Sequence, residues 1–203
     1  MIKLTLPISE ETIKSLKVGD KVSINGIMVT ARDVAHKYIV EHFVKKEPVN
    51  NDKQLFDKLY QYLNEGIIYH CGPVIKKEND KYSFIAAGPT TSIREEPYQT
   101  DVMKCFGLRG VIGKGGMGDN TLKGCVDNKA CYFHAVGGAG SLIAKNVKEV
   151  IEVEKLDFGT PEAFWVIRVE DFHCVITMDS HGNSLHKEML KQSEERLNQL
   201  LSL

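Results

Sequence analysis

Residues 108–140 read LRGVIGKGGMGDNTLKGCVDNKACYFHAVGGAG, and this stretch decides the fold class. Two β-prone runs, residues 108–112 and 130–136, each lead into a glycine-rich turn, and each turn leads into a helical pattern. A strand, a glycine turn and a helix in repeated order are typical of βαβ units, which place their strands side by side in a parallel sheet. The sequence therefore predicts an α/β fold with a mainly parallel central sheet.

Both flanks of this stretch extend the predicted fold. Residues 84–87 precede Gly88 and a helical pattern at 97–106, which predicts a further unit of the same kind. An Asn25-Gly26 pair between two short β-prone runs predicts a β-hairpin. Three separate strands near 149–153, 164–169 and 174–178, then a final helix to Leu203, complete the prediction. Residues 1–203 are thus interpreted as one α/β domain with β-rich additions at both ends.

Composition excludes several classes of protein. The 203 residues carry 26 Lys and Arg against 27 Asp and Glu, and this balance argues against a dedicated nucleic-acid binder or a polybasic membrane protein. No apolar run approaches the roughly 18 residues of a membrane span. The five cysteines form an odd set without a C-x-x-C pair, and no secretory segment begins the chain. We therefore expect a soluble cytoplasmic protein with free thiols.

The glycine turn after residue 112 raises two nucleotide hypotheses. Gly113-x-Gly115-x-x-Gly118 matches the dinucleotide-binding pattern, but the next strand ends without the acidic residue that holds the ribose. Lys114 is also unusual inside such a turn, and the spacing of a phosphate-binding P-loop is missing. A more general feature remains. Turns at the carboxyl ends of parallel strands meet at one edge of the sheet, where helix N-termini favour small anions.

Five side chains are predicted to reach that edge. Thr90, Thr91 and Arg94 belong to one turn, Lys114 belongs to the next, and Arg32 joins them if the predicted hairpin lies over the edge. Arginine binds carboxylates through two parallel hydrogen bonds and lysine provides a compact charge, so this set suits a small dicarboxylate. Each residue also has a structural alternative. The arginines have acidic neighbours to pair with, and threonine at such a turn is often a helix N-cap.

The chain resembles class I iron–sulfur fumarate hydratases in their C-terminal domain, and equally the β subunit of L-tartrate dehydratase. The resemblance covers nearly the whole chain. Its most specific motif is Gly88-Pro-Thr-Thr-Ser-Ile-Arg94, and three further stretches, residues 30–37, 113–115 and 136–139, support it. It implies a swivelling β/β/α domain that completes its active site against a separate α region. Because this chain begins and ends with the domain, we expect a separately encoded β subunit.

The resemblance also implies roles for particular residues. Arg32, Thr90, Thr91, Arg94 and Lys114 match the family's substrate-binding residues, with Thr90 matching the proposed catalytic base and Lys114 acting beside it. A [4Fe–4S] cluster is expected in the α partner, with none bound by this chain alone and no metal ligands here. The expected assembly is a hetero-oligomer, or a homodimer when the chain is isolated. The expected reaction is hydration of fumarate to L-malate.

The sequence leaves two alternative functions and the roles of two histidines undecided. The same chemistry with tartrate as substrate is the nearest alternative, and a non-catalytic module that binds small dicarboxylates is an alternative from another class. The non-catalytic module would need no partner, whereas the enzyme predicts an apolar patch near the glycine turns. His36 could orient a group of the site or simply pack in its helix, and His134 is interpreted as a core residue.

Overall fold

A computed structural model describes residues 1–202. The predicted end of the last helix at Leu203 lies outside the described residues. The strands are β1 (Ile2–Thr5), β2 (Lys21–Thr30), β3 (Ile67–Tyr69), β4 (Val74–Glu78), β5 (Lys81–Ala86), β6 (Gly110–Gly113), β7 (Cys131–His134), β8 (Val147–Glu154) and β9 (Phe164–Met178). The α-helices are α1 (Glu10–Ser15), α2 (Asp33–Ile39), α3 (Asn51–Leu63), α4 (Glu96–Phe106), α5 (Asp119–Asn128), α6 (Gly140–Ala144) and α7 (Leu185–Leu201). A π-helical segment, Val40–Val44, continues α2, and a 3₁₀ turn, Ser92–Glu95, leads into α4.

The central sheet is mostly parallel, as expected, and it closes on itself. Strands β2, β3, β6 and β7 lie side by side and parallel in that order. The long strand β9 runs antiparallel and pairs with β7 through its last residues and with β2 along most of its length. Because β9 contacts both ends of the row, five strands form a barrel. Strand β1 extends beside β2, and β8 extends beside β9.

The predicted hairpin at Asn25-Gly26 is wrong, because residues 21–30 form one strand. Pairing of β2 with β9 continues past the Asn-Gly pair, with a register shift between Ile24 and Gly26. Gly26 has a φ of +119°, and a Cβ at this position would lie 2.9 Å from the Cβ of Leu6. The glycine therefore provides a β-bulge that bends the strand around the barrel instead of reversing it.

Two further strand predictions are also wrong. Residues 164–178 form the single strand β9 instead of two strands, and Asp171 marks an irregular position inside it with a φ of +51°. Residues 84–87 do not enter the parallel sheet. Strand β5 pairs with β4 in a separate two-stranded antiparallel sheet, so the segment after β5 does not follow a barrel strand.

The alternation of strand side chains separates two apolar layers. In β3, Ile67 and Tyr69 point into the barrel and pack with residues such as Trp165, whereas Ile68 points outward. The outer layer lies between the barrel and helices α2 to α5, with Leu59 and Phe106 among its members. Within residues 1–202, no helix has both the length and the apolar composition that a membrane crossing requires.

Candidate functional site

The five predicted site residues lie at the carboxyl edge of the barrel. Arg32 follows the end of β2, and Lys114 follows the end of β6. The Thr90 segment is inserted between the ends of β3 and β6, since the Thr90 amide donates to the His70 carbonyl at 2.7 Å and the Lys114 amide donates to the Thr90 carbonyl at 3.3 Å. Thr91 forms a one-residue parallel bridge with Lys114. The expected gathering of these residues therefore occurs. Parallel strands β2 and β6 lead to Arg32 and Lys114, whereas the segment with Thr90, Thr91 and Arg94 follows β5, which is outside the parallel sheet.

Asp33 connects the two arginines. Arg94 Nη2 lies 3.4 Å and Arg32 Nη2 lies 3.7 Å from the same Asp33 oxygen, Oδ2. Arg32 also contacts Glu162, with 3.4 Å between Nη1 and Oε1. The Arg32 side chain is mostly buried, whereas that of Arg94 is 47% exposed. Gly72 leaves room for Arg32, because a Cβ at this position would lie 2.7 Å from Nη1. The structural alternative of pairing with adjacent acids is thus real for both arginines.

Thr90 and Lys114 differ from the arginines in their contacts. The Thr90 hydroxyl is half-buried and donates to the His70 carbonyl at 3.0 Å, which leaves the oxygen lone pairs free to accept. Lys114 runs alongside Gly137, where an added Cβ would lie 3.4 Å from Cδ. No carboxylate in the described part of the chain pairs with the half-buried Lys114 ammonium. Lys114, whose backbone pairs with the Thr90 segment, therefore provides a positive charge that no carboxylate among residues 1–202 neutralises.

A buried hydrogen-bond network supports the Thr90 turn from below. His70 contacts the Ser92 hydroxyl at 2.8 Å through Nδ1 and the Gln99 carbonyl oxygen at 2.7 Å through Nε2. Because an amide oxygen only accepts, Nε2 carries the proton and Ser92 donates to Nδ1. Tyr132 in turn donates to Ser92 at 2.9 Å. Burial is the main cause that holds the pKa of His70 well below its usual range, and the Arg94 cation lowers it further, so the ring is neutral.

Close packing explains why a glycine ends β6. A Cβ on Gly113 would lie 1.7 Å from the Ser92 hydroxyl and 2.9 Å from the Tyr132 hydroxyl. The Ser92 hydroxyl thus occupies the space that a side chain at position 113 would need. This contact fixes the Thr90 turn against the strand that carries Lys114.

Glu96 occupies the helix N-terminus that follows the glycine turn. Its carboxylate accepts hydrogen bonds from the Gly118, Asn120 and Thr121 amides at 2.8, 3.0 and 3.2 Å, and from the Thr121 hydroxyl at 2.6 Å. A Cβ on Gly118 would lie 2.6 Å from Glu96 Oε1, so the third glycine of the motif makes room for a carboxylate of this chain. The N-terminus of α5 is therefore not the open anion site that the sequence predicted.

The two histidines weighed from the sequence lie on different sides of the edge. His36 is fully buried, and its ring packs against that of His70 with 5.0 Å between centroids. Burial lowers the pKa of His36 to about 4. His134 is not a fully satisfied core residue. It is half-buried at the end of β7, its Nδ1 has no hydrogen-bond partner within residues 1–202, and its ring lies 5.8 Å from that of His186.

Sequence reasoning did not find four polar residues that shape this edge. Ser92, Gln99, Glu95 and Glu96 are all in or just after the Gly-Pro-Thr-Thr-Ser motif, where only the threonines and Arg94 were selected. The one available signal is that these polar residues interrupt the apolar face of a helix start. Three of them, Ser92, Glu95 and Gln99, are fully buried.

The residues present do not fit an iron–sulfur cluster. No group of three or more His, Cys, Asp or Glu side chains among residues 1–202 is placed to hold a metal ion. Four of the five cysteines are buried, and burial raises the pKa of all five thiols, which disfavours the thiolates that ligate iron.

Comparison with known proteins gives one family and several relatives that match nearly the whole of this chain. Residues 1–189 match the family model described as "Fumarase C-terminus". The chain is 52% identical over 200 residues to "Putative fumarate hydratase class I" of Geobacillus stearothermophilus, with 98% of this chain and 36% of that protein covered. It is 41% identical over 198 residues to "Putative L(+)-tartrate dehydratase subunit beta" of Methanocaldococcus jannaschii, with 97% and 96% covered. It is 37% identical over 194 residues to "L(+)-tartrate dehydratase subunit beta" of Escherichia coli (strain K12), with 95% and 90% covered.

Proposed function

The chain belongs to the fumarase C-terminus family, and from that premise we propose that it acts as the β subunit of an iron–sulfur hydro-lyase that interconverts fumarate and L-malate. The observation that carries the proposal is the meeting of Thr90, Lys114 and the two arginines at one edge of the barrel. A hydro-lyase needs cations for two carboxylates and a base beside them. In this proposal the cations are Arg32, Arg94 and Lys114, and the base is Thr90.

Substrate binding is assigned to the cations and the threonines. Arg32 and Arg94 would bind one carboxylate through paired hydrogen bonds, and Lys114 would bind the second as a point charge. Thr90 and Thr91 add hydroxyl groups at the same turn. Two observations support this assignment. The Arg94 side chain is 47% exposed, so it can contact a ligand while keeping its pair with Asp33. The Lys114 ammonium has no carboxylate partner among residues 1–202, so it can contact a ligand without breaking an ion pair.

The proposed chemistry removes water from a 2-hydroxy diacid. Thr90 takes the proton from the carbon beside one carboxylate, hydroxide leaves from the neighbouring carbon, and the carbon–carbon double bond forms. Negative charge that develops on the carboxylate is stabilised by Arg32, Arg94 and Lys114 more strongly in the transition state than in the ground state. Because a threonine hydroxyl is a weak base, its own proton must first pass to a carboxylate, which we place on the partner subunit.

The partner is proposed to be an α subunit that carries the [4Fe–4S] cluster. Four large apolar side chains surround the cationic edge while remaining 44–64% exposed: Val34, Ile93, Val136 and Leu142. Exposed apolar side chains rimming a charged site are typical of a surface that another protein covers. The names "subunit beta" of two relatives also support a hetero-oligomer, whereas a homodimer remains the proposal for the isolated chain.

Three further assignments belong to the same proposal. Residues 1–203 form one domain of the swivelling β/β/α type, which the barrel with its outer helices supports. The protein acts in the cytoplasm, in keeping with five free cysteines. The chain spans only 36% of the first relative, so the complete hydro-lyase includes a second region or chain.

Tartrate is the second candidate substrate. The relatives named as tartrate dehydratase β subunits are matched over 96% and 90% of their own lengths, which favours this alternative. The higher identity, 52%, is with a fumarate hydratase, and we therefore place fumarate first. The two substrates share their carboxylates and differ in the second hydroxyl group.

The test is anaerobic co-expression with a candidate α subunit, followed by assay of the complex with fumarate, L-malate and tartrate. Thr90→Ala should lower kcat by about 10²- to 10⁴-fold, since a positioned base contributes that much. Lys114→Ala should raise KM and lower kcat. Thr5→Ala and Lys123→Ala, which replace exposed residues, are the matched controls. Full turnover by Thr90→Ala would remove the base assignment, and failure to form an active complex would favour the dicarboxylate-binding module.

A further inference from the structure

Glu95 is a buried carboxyl group that the proposed reaction does not use. It follows Arg94 in the site turn, its side chain is 0% exposed, and neither carboxyl oxygen accepts a hydrogen bond from any group within residues 1–202. Glutamate is rarely buried in this way unless it is paired or neutral. The group therefore needs a physical explanation.

Asp33 is the carboxylate that Glu95 faces. Burial first, and then the charge of Asp33, raise the pKa of Glu95 to about 8. Two carboxyl groups in contact resist double ionisation, and the protonated member can donate a hydrogen bond to the ionised one. Glu95 is thus neutral at neutral pH, and a protonated Glu95 can donate to Asp33, the carboxylate that contacts both arginines.

The other ionisable groups around Glu95 keep fixed charges near neutral pH. Arg94 on its own turn is a cation, and Glu96 on α4 is bonded to the N-terminus of α5. His36 on α2 is neutral, since burial lowers its pKa to about 4. Tyr132 on β7 is neutral, because burial raises its pKa. Glu95 is therefore the group here whose charge changes between pH 7 and 9.

The charge of the edge depends on this proton. The edge carries three cations, Arg32, Arg94 and Lys114. Its two internal carboxylates, Asp33 and Glu162, pair with the arginines, which leaves one positive charge in excess. Ionisation of Glu95 would add a third carboxylate and cancel the excess. A dicarboxylate would then approach an edge without net positive charge. It would also be repelled by the ionised Glu95, which is buried next to Arg94 in the chain.

We propose that Glu95 is a proton-holding residue that couples dicarboxylate binding to proton uptake. As a neutral acid it donates to Asp33 and leaves Arg32 and Arg94 available to a ligand carboxylate, and as an anion it opposes the ligand. A bound dianion favours the protonated form by the same reciprocity. The inference rests on the proposed function for the identity of the ligand and deepens it by assigning the protonation state in which the site binds.

The first test needs no ligand and no partner, so it stays separate from the proposed function. The full chain, labelled with ¹³C at the glutamate carboxyl carbons, is titrated by NMR, and the Glu95 signal is identified by its absence in Glu95→Gln. We expect a midpoint near pH 8. Asp33→Asn should lower the midpoint by removing the like charge. A midpoint in the ordinary acidic range for glutamate overturns the inference even if the complex is an active hydro-lyase.

The second test measures the coupling itself. Calorimetric titration of the assembled complex with succinate, in two buffers of different ionisation enthalpy, should show uptake of about half a proton at pH 8 and almost none at pH 6. Affinity should fall about tenfold for each pH unit above the Glu95 midpoint. Glu95→Gln should abolish both effects, and Glu11→Gln, at an exposed residue, should retain them. A wild-type affinity that does not change between pH 7 and 9 refutes the coupling.

Discussion

Replacing Glu96 tests whether this chain fills the N-terminus of its own helix α5. The Glu96 carboxylate receives three backbone N–H groups and one hydroxyl, at distances of 2.6–3.2 Å. In Glu96→Gln the side chain keeps its shape but loses its charge. One of its two acceptor oxygens is replaced by an NH₂ group, which cannot accept the N–H hydrogen bonds. Part of the helix end is then left without an acceptor.

The magnitude follows from the bonds that are lost. An N-terminal cap contributes about 1 kcal/mol, a negative charge at a helix N-terminus contributes about 1 kcal/mol when partly buried, and an unsatisfied buried donor costs about 1–3 kcal/mol. Thr121 is buried and Asn120 is exposed, so only part of the donor cost applies. We expect Glu96→Gln to lower the free energy of unfolding by about 3 kcal/mol, which corresponds to roughly 6–12 °C in Tm.

Urea unfolding of the two proteins, monitored by circular dichroism, measures this difference. Glu11→Gln, in the first turn of α1 and exposed, is the matched control and should change stability by less than about 0.5 kcal/mol. Glu96→Ala opens the helix end completely, so added phosphate should stabilise this variant more than the wild type. If Glu96→Gln unfolds at the wild-type urea concentration, or phosphate acts equally on both proteins, the assigned role of Glu96 is wrong.

Three further predictions concern packing and pH. Gly113→Ala places a Cβ 1.7 Å from the Ser92 hydroxyl and should lower Tm by several degrees, and turnover of the complex should fall with it, as differential scanning calorimetry and the hydro-lyase assay would show. His36 and His70 are neutral when folded and charge more readily when unfolded, so stability should fall as pH drops from 6.5 toward 4. His36 should contribute about 2 kcal/mol of this fall at pH 5, and His36→Gln should lessen the fall in urea titrations at pH 7 and pH 5. Glu95 gives the opposite pH dependence, because its pKa of about 8 in the folded protein exceeds the usual 4.5. The free energy of unfolding should therefore fall as pH rises between these values, and Glu95→Gln should be more stable than wild type at pH 8.

Local pattern was sufficient for elements whose neighbours are close in sequence. The strand–turn–helix order at residues 108–140 predicted β6, α5 and β7, because a βαβ unit joins strands through one connection. Closure of the barrel could not be predicted in this way. It depends on β9 pairing with β2 across more than a hundred residues, as Thr30 does with Trp165, and no local signal encodes such a partner.

Two of the wrong strand predictions show how the choice of pairing partner changes the outcome. An Asn-Gly pair reverses a chain when the strands beside it have only each other, but here both halves of β2 pair with β9 and the pair becomes a bulge. Residues 84–87 have a strand-like sequence pattern, but β5 pairs with the preceding strand β4 in a separate hairpin and not with the parallel sheet. In each case the residue propensities identified an extended segment, and the strand that pairs with it determined its place in the fold.

The cations of the candidate site were predictable from the turns that carry them, whereas the groups opposing those cations were not. Glu162 lies far from Arg32 in sequence, and Glu96 reaches α5 from the helix before it. Residue type and spacing predict where a charge is placed along the chain. They do not show which charge of opposite sign the fold brings beside it.

If the edge binds anions as proposed, these internal carboxylates influence which anions it accepts. Arg32 is already paired, so a ligand that contacts it alone exchanges one ion pair for another and gains little. Lys114 lacks such a pair among residues 1–202, and half of Arg94 is exposed, so the net gain comes from reaching both. A monoanion can satisfy one of these two cations, whereas a dianion of suitable length satisfies both. We therefore propose that internal neutralisation makes the edge selective for a ligand with two carboxylates over anions in general.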